Sequence, residues 1–470
     1  MNRWARRFLQ MDHSHLSPAQ RATHTYVIGQ PGMGKTRGME SWIMQDIRNG
    51  EGVGVIDPHG DLFQRLVFRL AEMPEVWERV IIIDPCDSKW TVCFNPLEGI
   101  NGVSEERLSL FLTDVMVKIW RLEVSSAPRL IWLLTNTFMA LANLNLTLLD
   151  LPRFLLESEY RDGLLPRINN ERVRLYFEHE FPENKGAVHQ WVTPVLNKIG
   201  GLLYDTDMSL MFASHSKLDF RQIMDRRCIL LVHIPKGILG EGSSALLGAF
   251  IVAHLQKAAL SRADFRNRPP FFLYLDEFQN YTTDNILDIL SESRKYALSL
   301  ILVHQYLDQL SVDFRSAVLN TTGNLICFRV GYSDAARMAK EIFPSPDFMT
   351  TTTRSVRFHR PWDIPMLSLL SQEKPFGWDR LAQEIVSLPP RGFWHRRRGN
   401  HTPTQHRTFD MPDPIVTQEE WAKRWAFQDT AGKQYGRLKQ ELQQELKGQR
   451  SNHSRKPREN INSTHSFWSE

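Results

Sequence analysis

The sequence predicts an α/β protein with a mainly parallel central sheet, an inserted all-α domain and a polar C-terminal tail. Three observations carry this. Residues 25–98 alternate short apolar runs with helical patterns, the signature of strands joined by crossover helices. Residues 99–222 keep long apolar periodicities of helical type and lose the strand signal. Strands then return after 222 as almost uniformly apolar runs, as central strands covered on both faces should be.

Taken in order, the first part predicts a strand over 25–28, a helix over 35–48, and strands over 53–56 and 79–83. Helical runs over 108–120, 130–142 and 192–203 fill the insertion, although one continuous all-α half would read similarly. Strands are expected over 228–234, 271–275, 298–303 and 325–330, with a strong helix over 243–261. Beyond 343 the signal weakens, and residues 344–412 are rich in Pro, Thr and Arg. Residues 413–449 read as one or two polar helices, and the last twenty as disordered. The expected division is an extension over 1–24, motor segments over 25–98 and 223–345, the insertion over 99–222, a C-terminal motor segment over 346–412 and a tail over 413–470.

The 470 residues suffice for a motor-sized core and a further domain. A net charge of +4 leaves any nucleic-acid contact to local patches. Cys86, Cys93, Cys228 and Cys327 lack metal-ligand spacing and read as reduced thiols, arguing against a disulfide framework. No apolar run reaches the ~20 residues of a membrane span, and the N-terminus lacks a signal-peptide pattern. The expectation is a cytoplasmic protein without an integral membrane segment.

Chemistry concentrates in two places. Gly29, Gln30, Pro31, Gly32, Met33, Gly34, Lys35 and Thr36 match the phosphate-binding pattern G-x-x-x-x-G-K-[ST] between a strand and a helix. The glycines let backbone N–H groups wrap a phosphate chain, and the helix N-terminus faces the same charge. Lys35 is placed to reach the β- and γ-phosphates of ATP, and the Thr36 hydroxyl to ligate Mg²⁺. The strand 271–275 ends in Asp276 and Glu277, suited to holding Mg²⁺ and to activating water. Together they predict a P-loop ATPase.

Gln305, at the end of the next strand, could bond the γ-phosphate or the water, or cap its loop. Arg294 could act as an arginine finger across a subunit boundary, or sit as a surface cation near a helix end. Asp57-Pro58-His59-Gly60-Asp61 brings acids to the same sheet edge and also reads as a turn.

The segments GQPGMGKT, DPHGD, IIIDP, FNPLEG, LLVHIPKGILGEGSSALLG, LYLDEFQNY, SESRKYALSLILVHQYLDQL and NTTGNLICFRVG resemble the HerA–FtsK superfamily. More narrowly they resemble the TraG/TraD-type coupling proteins of conjugation and type IV secretion, including soluble HerA-like relatives. The likeness spans roughly residues 25–342. It implies a RecA-like P-loop NTPase core, an inserted all-α domain, a homo-hexameric ring and nucleotide held between subunits. By position it assigns Lys35 and Thr36 to the P-loop, Asp276 and Glu277 to the Walker B pair, Gln305 to the sensor and Arg294 to the finger. Lacking N-terminal membrane helices, the chain departs from the membrane-bound members. That suggests a soluble motor, or one recruited to the inner face of the cell membrane.

For DNA contact, 236–242 is a candidate pore loop or a helix-entry loop, and the basic stretch 391–398 a phosphate contact or a solvated loop. The function expected is an ATP-driven, ring-forming DNA translocase or coupling protein, with a relaxase and a secretion channel as implied partners. A rival is an ATP-gated adaptor that recruits relaxase–DNA or protein substrates without moving DNA. A P-loop kinase fits less well, because Asp276-Glu277 with Gln305 favours water as acceptor.

Overall fold

The computed structural model describes residues 18–453, apart from 99–102, 124, 265–266, 282–285, 288, 291–292, 347, 349–376, 400–401, 410 and 415. The disorder expected for the last twenty residues falls almost wholly outside these. The strands are β1 Thr25–Ile28, β2 Gly52–Asp57, β3 Val80–Ile83, β4 Trp90–Thr91, β5 Ile229–His233 and β6 Phe271–Leu275. They continue with β7 Leu298–His304, β8 Asn324–Phe328, β9 Gly392–Arg397, β10 Thr404–Arg407 and β11 Arg437–Leu438. Nine form one sheet in the order β10-β9-β8-β1-β7-β6-β2-β5-β3. From β8 to β3 every pairing is parallel.

A parallel sheet needs cover on both faces, and the side-chain alternation supplies it. Val27, Phe272 and Tyr274 point into one core, shared with the helices Lys35–Arg48 and Asp61–Ala71. Their neighbours Tyr26, Ile28, Phe271, Leu273 and Leu275 point into the other. That second core runs on into the helices between 105 and 225, among whose described residues no strand occurs. Ser104 accepts from the Arg107 amide to begin the helix Glu105–Ile119, and Pro128 opens Pro128–Asn143.

The helix Glu241–Ser261 lies in the same core and is buried on nearly its whole circumference, as a helix apolar all round must be. It is the one helix among the described residues long and apolar enough, by length and composition, to cross a bilayer: an 18-residue window within Glu241–Asp264 has a mean hydropathy of 1.3, yet 78% of that window is buried inside the protein.

A correction concerns 391–398, expected as a phosphate-contacting stretch or a solvated basic loop. Gly392–Arg397 is instead β9, antiparallel to β8, with Phe393, Trp394 and His395 buried. β10 pairs antiparallel with β9 at the sheet edge. Edge strands tolerate polar and charged residues, so their sequence carries little strand signal. Helix Gln418–Tyr435 buries Phe427 and Ala431 against the helix Asp61–Ala71 and β3. Gly432 sits under Trp90, where a Cβ would lie 2.3 Å from the indole. β11 then pairs with β4, so the polar tail is tied back to the first motor segment.

Candidate active site

Parallel strands carry their C-terminal ends to one edge, the usual ligand edge of such sheets. At β1 this edge continues into the loop Gly29–Thr36, which runs directly into the helix Lys35–Arg48. Gly32 and Gly34 adopt φ of 76° and 98°, left-handed values that disfavour other residues. Gly29 must lack a side chain for another reason: a Cβ there would lie 2.5 Å from Cβ of Phe328, at the end of β8. The loop is pinned at both ends. Gln30 N donates to Arg329 O at 2.8 Å, and Arg391 N donates to Met33 O at 2.9 Å.

Lys35 is buried, and its ammonium donates to the carbonyls of Gly29 and Gln30. Burial lowers its pKa, while Glu277 and Asp276 pull it back up. Asp276 extends β6, its N–H donating to Ile56 O at 3.2 Å. Burial, and then the carboxylates of Asp57 and Glu277, push its pKa up to about 7, with Lys35 opposing. This crowding of buried acids is what a divalent cation relieves.

Glu277 departs from the strand with φ of 46°. The turn aims its carboxylate between two amides: Gln305 Nε2 donates to Oε1 at 2.9 Å and Gln279 Nε2 to Oε2 at 2.7 Å. Gln305 is itself fixed, because Gln309 Oε1 accepts from the N–H groups of Gln305 and Tyr306 at 3.1 Å each. Between β1 and β7, the Tyr26 hydroxyl meets Nε2 of fully buried His304. Burial pushes that imidazole down to about 3, leaving it neutral.

Asp57 serves both readings of its motif. Its carboxylate accepts from His59 N at 2.9 Å and Phe63 N at 2.8 Å, closing the turn, and it also stands close enough to disfavour ionisation of Asp276. His233, at the end of β5, stacks on Phe63 and pairs with Asp84 at 3.0 Å.

The structure therefore gathers Lys35, Asp276, Glu277 and Gln305, with Thr36 one residue into the helix. Arg294 falls in the turn Ser293–Tyr296 before β7, and its side chain lies outside the described residues. Residues Lys236–Leu239 form a short helix entering Glu241–Ser261. The sequence reading missed Gln279, Asn280 and Gln309. Each follows a motif by only a few residues, but a lone amide in a loop carries no spacing signal.

No family model matches the chain, and no curated protein does. Solved structures do. The unbound bacterial conjugative coupling protein TrwBΔN70 superposes with a TM-score of 0.60 at 13% identity, covering 87% of this chain and 92% of that one. Plasmid coupling protein TrwB with the GTP analogue GDPNP gives 0.60 at 14%, covering 87% and 93%. TrwB with ADP and Mg²⁺ gives 0.60 at 14%, covering 84% and 88%. At this identity the likeness is one of fold: the chain has the RecA-like P-loop NTPase fold of TrwB.

Proposed function

We propose that the chain is an ATP-hydrolysing, ring-forming motor that couples hydrolysis to DNA movement in conjugative transfer or type IV secretion. The observation that carries the hydrolytic reading is the carboxylate of Glu277, held by Gln305 and Gln279 beside buried Asp276 and Lys35. A carboxylate fixed by two amides is set to orient and deprotonate an attacking water.

The residues fit ATP and Mg²⁺. The turn glycines and helix N-terminus suit a polyphosphate, and Lys35 already meets the loop's own carbonyls. Thr36 and Asp276 would hold Mg²⁺, which when bound neutralises charge on the phosphates. Gln305 orients water toward Glu277, and Arg294 serves the site of a neighbouring subunit in the ring. The cellular role rests on the fold shared with TrwB, whose structures are described as those of a conjugative coupling protein.

The test is the steady-state ATPase rate of the full chain with and without single- and double-stranded DNA. The proposal expects Mg²⁺-dependent hydrolysis raised by DNA. Hydrolysis indifferent to both DNAs would favour an ATP-gated adaptor, and no hydrolysis would remove the motor reading.

A further inference from the structure

Beside Glu277 lies a cleft of about 770 Å³, between the sheet edge and the inserted helices, whose lining includes none of residues 29–36. It falls within the ~300–1,000 Å³ range of pockets that enclose small ligands or parts of chains. One wall is the end of the helix Glu105–Ile119, giving Lys118, Trp120 and Arg121; another gives Lys236; Glu277, Gln305 and Asn280 form the floor. Arg121 is exposed and held at φ of 51°. Lys118 also pairs with Asp114 at 2.7 Å, and Glu241 lines the cleft as a further acid.

A chain of contacts joins this cleft to the hydrolytic carboxylate. Lys236 Nζ donates to Asn280 Oδ1. Asn280 in turn donates from Nδ2 to Glu277 O at 2.7 Å and from its N–H to the same oxygen at 3.0 Å. Glu277 holds its strained turn with Asn280 on its carbonyl and Gln279 on its carboxylate. An anion that draws the Lys236 ammonium away leaves Asn280 Oδ1 without that donor, so the side chain that bonds the Glu277 carbonyl loses one of its anchors. Burial lowers the pKa of Lys236, while the carboxylates of Glu241 and Glu277 that face it pull it back up.

We propose that this cleft is a subsite for the phosphodiester backbone of single-stranded DNA, read by Arg121 and Lys236, and that its occupancy reaches Glu277 through Asn280. Trp120 lines the cleft, half-buried against the core with Lys198 Nζ over its ring at 5.6 Å, and an aromatic ring there suits stacking by an unpaired base, which a duplex keeps inside its helix. The inference rests on the DNA-motor reading and names where the strand makes itself felt. Asn280 is a positioning residue, acting through Glu277.

The experiment uses the full chain and a fluorescein-labelled oligothymidylate, with anisotropy read across a salt series and the ATPase rate read alongside. Lys236→Ala and Arg121→Ala should each weaken binding about tenfold and lower the salt slope by about 0.7, the value for one lost single-strand phosphate contact. Asn280→Ala should bind the oligonucleotide within about twofold of wild type and lose the DNA-induced rise in kcat. Wild-type affinity and salt slope in both cation variants would overturn the subsite. So would a raised KM for ATP in Lys236→Ala with oligonucleotide binding intact, since the lysine would then belong to the nucleotide. Stimulation retained by Asn280→Ala would overturn the link to Glu277. A wild-type chain that hydrolyses ATP without binding the oligonucleotide sinks the subsite and the DNA reading together. A chain that binds and is stimulated, with unaffected variants, sinks the subsite alone.

Discussion

The amide of Gln305 donates to Oε1 of Glu277 at 2.9 Å, joining the C-terminal ends of neighbouring strands β7 and β6. Because Gln309 fixes the Gln305 backbone and Gln279 holds the other carboxylate oxygen, Glu277 is oriented from two sides. Preorganisation of this kind lets a general base act without rearranging at the moment of reaction.

Glu277→Gln should therefore bind ATP and hydrolyse it about 10²–10⁴-fold more slowly, the usual contribution of a general base. An amide in place of the carboxylate keeps the shape and one acceptor oxygen but cannot take a proton. Fluorescent-nucleotide titration and steady-state turnover check this. Lost nucleotide affinity in a folded variant would contradict the division of roles between Glu277 and Lys35.

Gly29→Ala should destabilise the protein by about 1–3 kcal/mol, the typical cost of overpacking. The added Cβ would meet Phe328 Cβ at 2.5 Å; Gly29 directly follows β1 and Phe328 ends the paired neighbour β8, so the two cannot easily part. A denaturant melt without nucleotide measures it. Unchanged stability would mean that β1 and β8 yield more readily than their register suggests.

His304 gives the protein an acid limb. Its folded pKa, pushed down to about 3 by burial, lies below the usual ~6.5 of the unfolded chain. Between those values the unfolded state binds more protons, so this group's contribution is complete above about pH 6.5 and is lost as pH falls. From pH 7 to pH 5 the loss is about 2 kcal/mol. His254 and His395, pushed down to about 4 and about 3, act in the same direction. His304→Gln should flatten the slope of stability against pH over that window, whatever its offset. An unaltered slope would show that the imidazole does not titrate on unfolding.

What the sequence revealed follows from which signals are local. The phosphate-binding loop and the Asp276-Glu277 strand end were legible because each is a short motif on an apolar strand. β1, β5, β6, β7 and β8 were legible because burial on both faces demands unbroken apolar runs. β10 was not, since Thr404–Arg407 is an edge strand with mostly exposed side chains. Nor was the support of Glu277: Gln279 and Asn280 bond back to it over two and three residues, but a lone amide in a loop carries no spacing signal, and Gln305 reaches it only once β6 and β7 lie side by side. The burial of Glu241–Ser261 is likewise a property of what surrounds it, and its composition alone equally suits a bilayer.

The last prediction concerns Arg294, which stands in the turn leading into β7. β7 spans seven residues, Leu298–His304, its last four paired parallel with β1, and Gln305 follows at its far end. At ~3.3 Å per residue the strand places Arg294 about 20 Å from the phosphate-binding edge of its own sheet. Such a separation favours a part in hydrolysis played at a neighbour's site. Arg294→Ala should keep ATP binding and lose most hydrolysis, as an absent arginine finger does. Mixed with Lys35→Ala subunits it should regain activity. An even random mixture pairs an intact loop with an intact Arg294 at roughly a quarter of its interfaces. The measurement is ATPase rate against mixing ratio after subunit exchange, with mixed rings confirmed by mass. A curve flat at background would exclude the trans finger. It would leave Arg294 as an intrasubunit or structural cation.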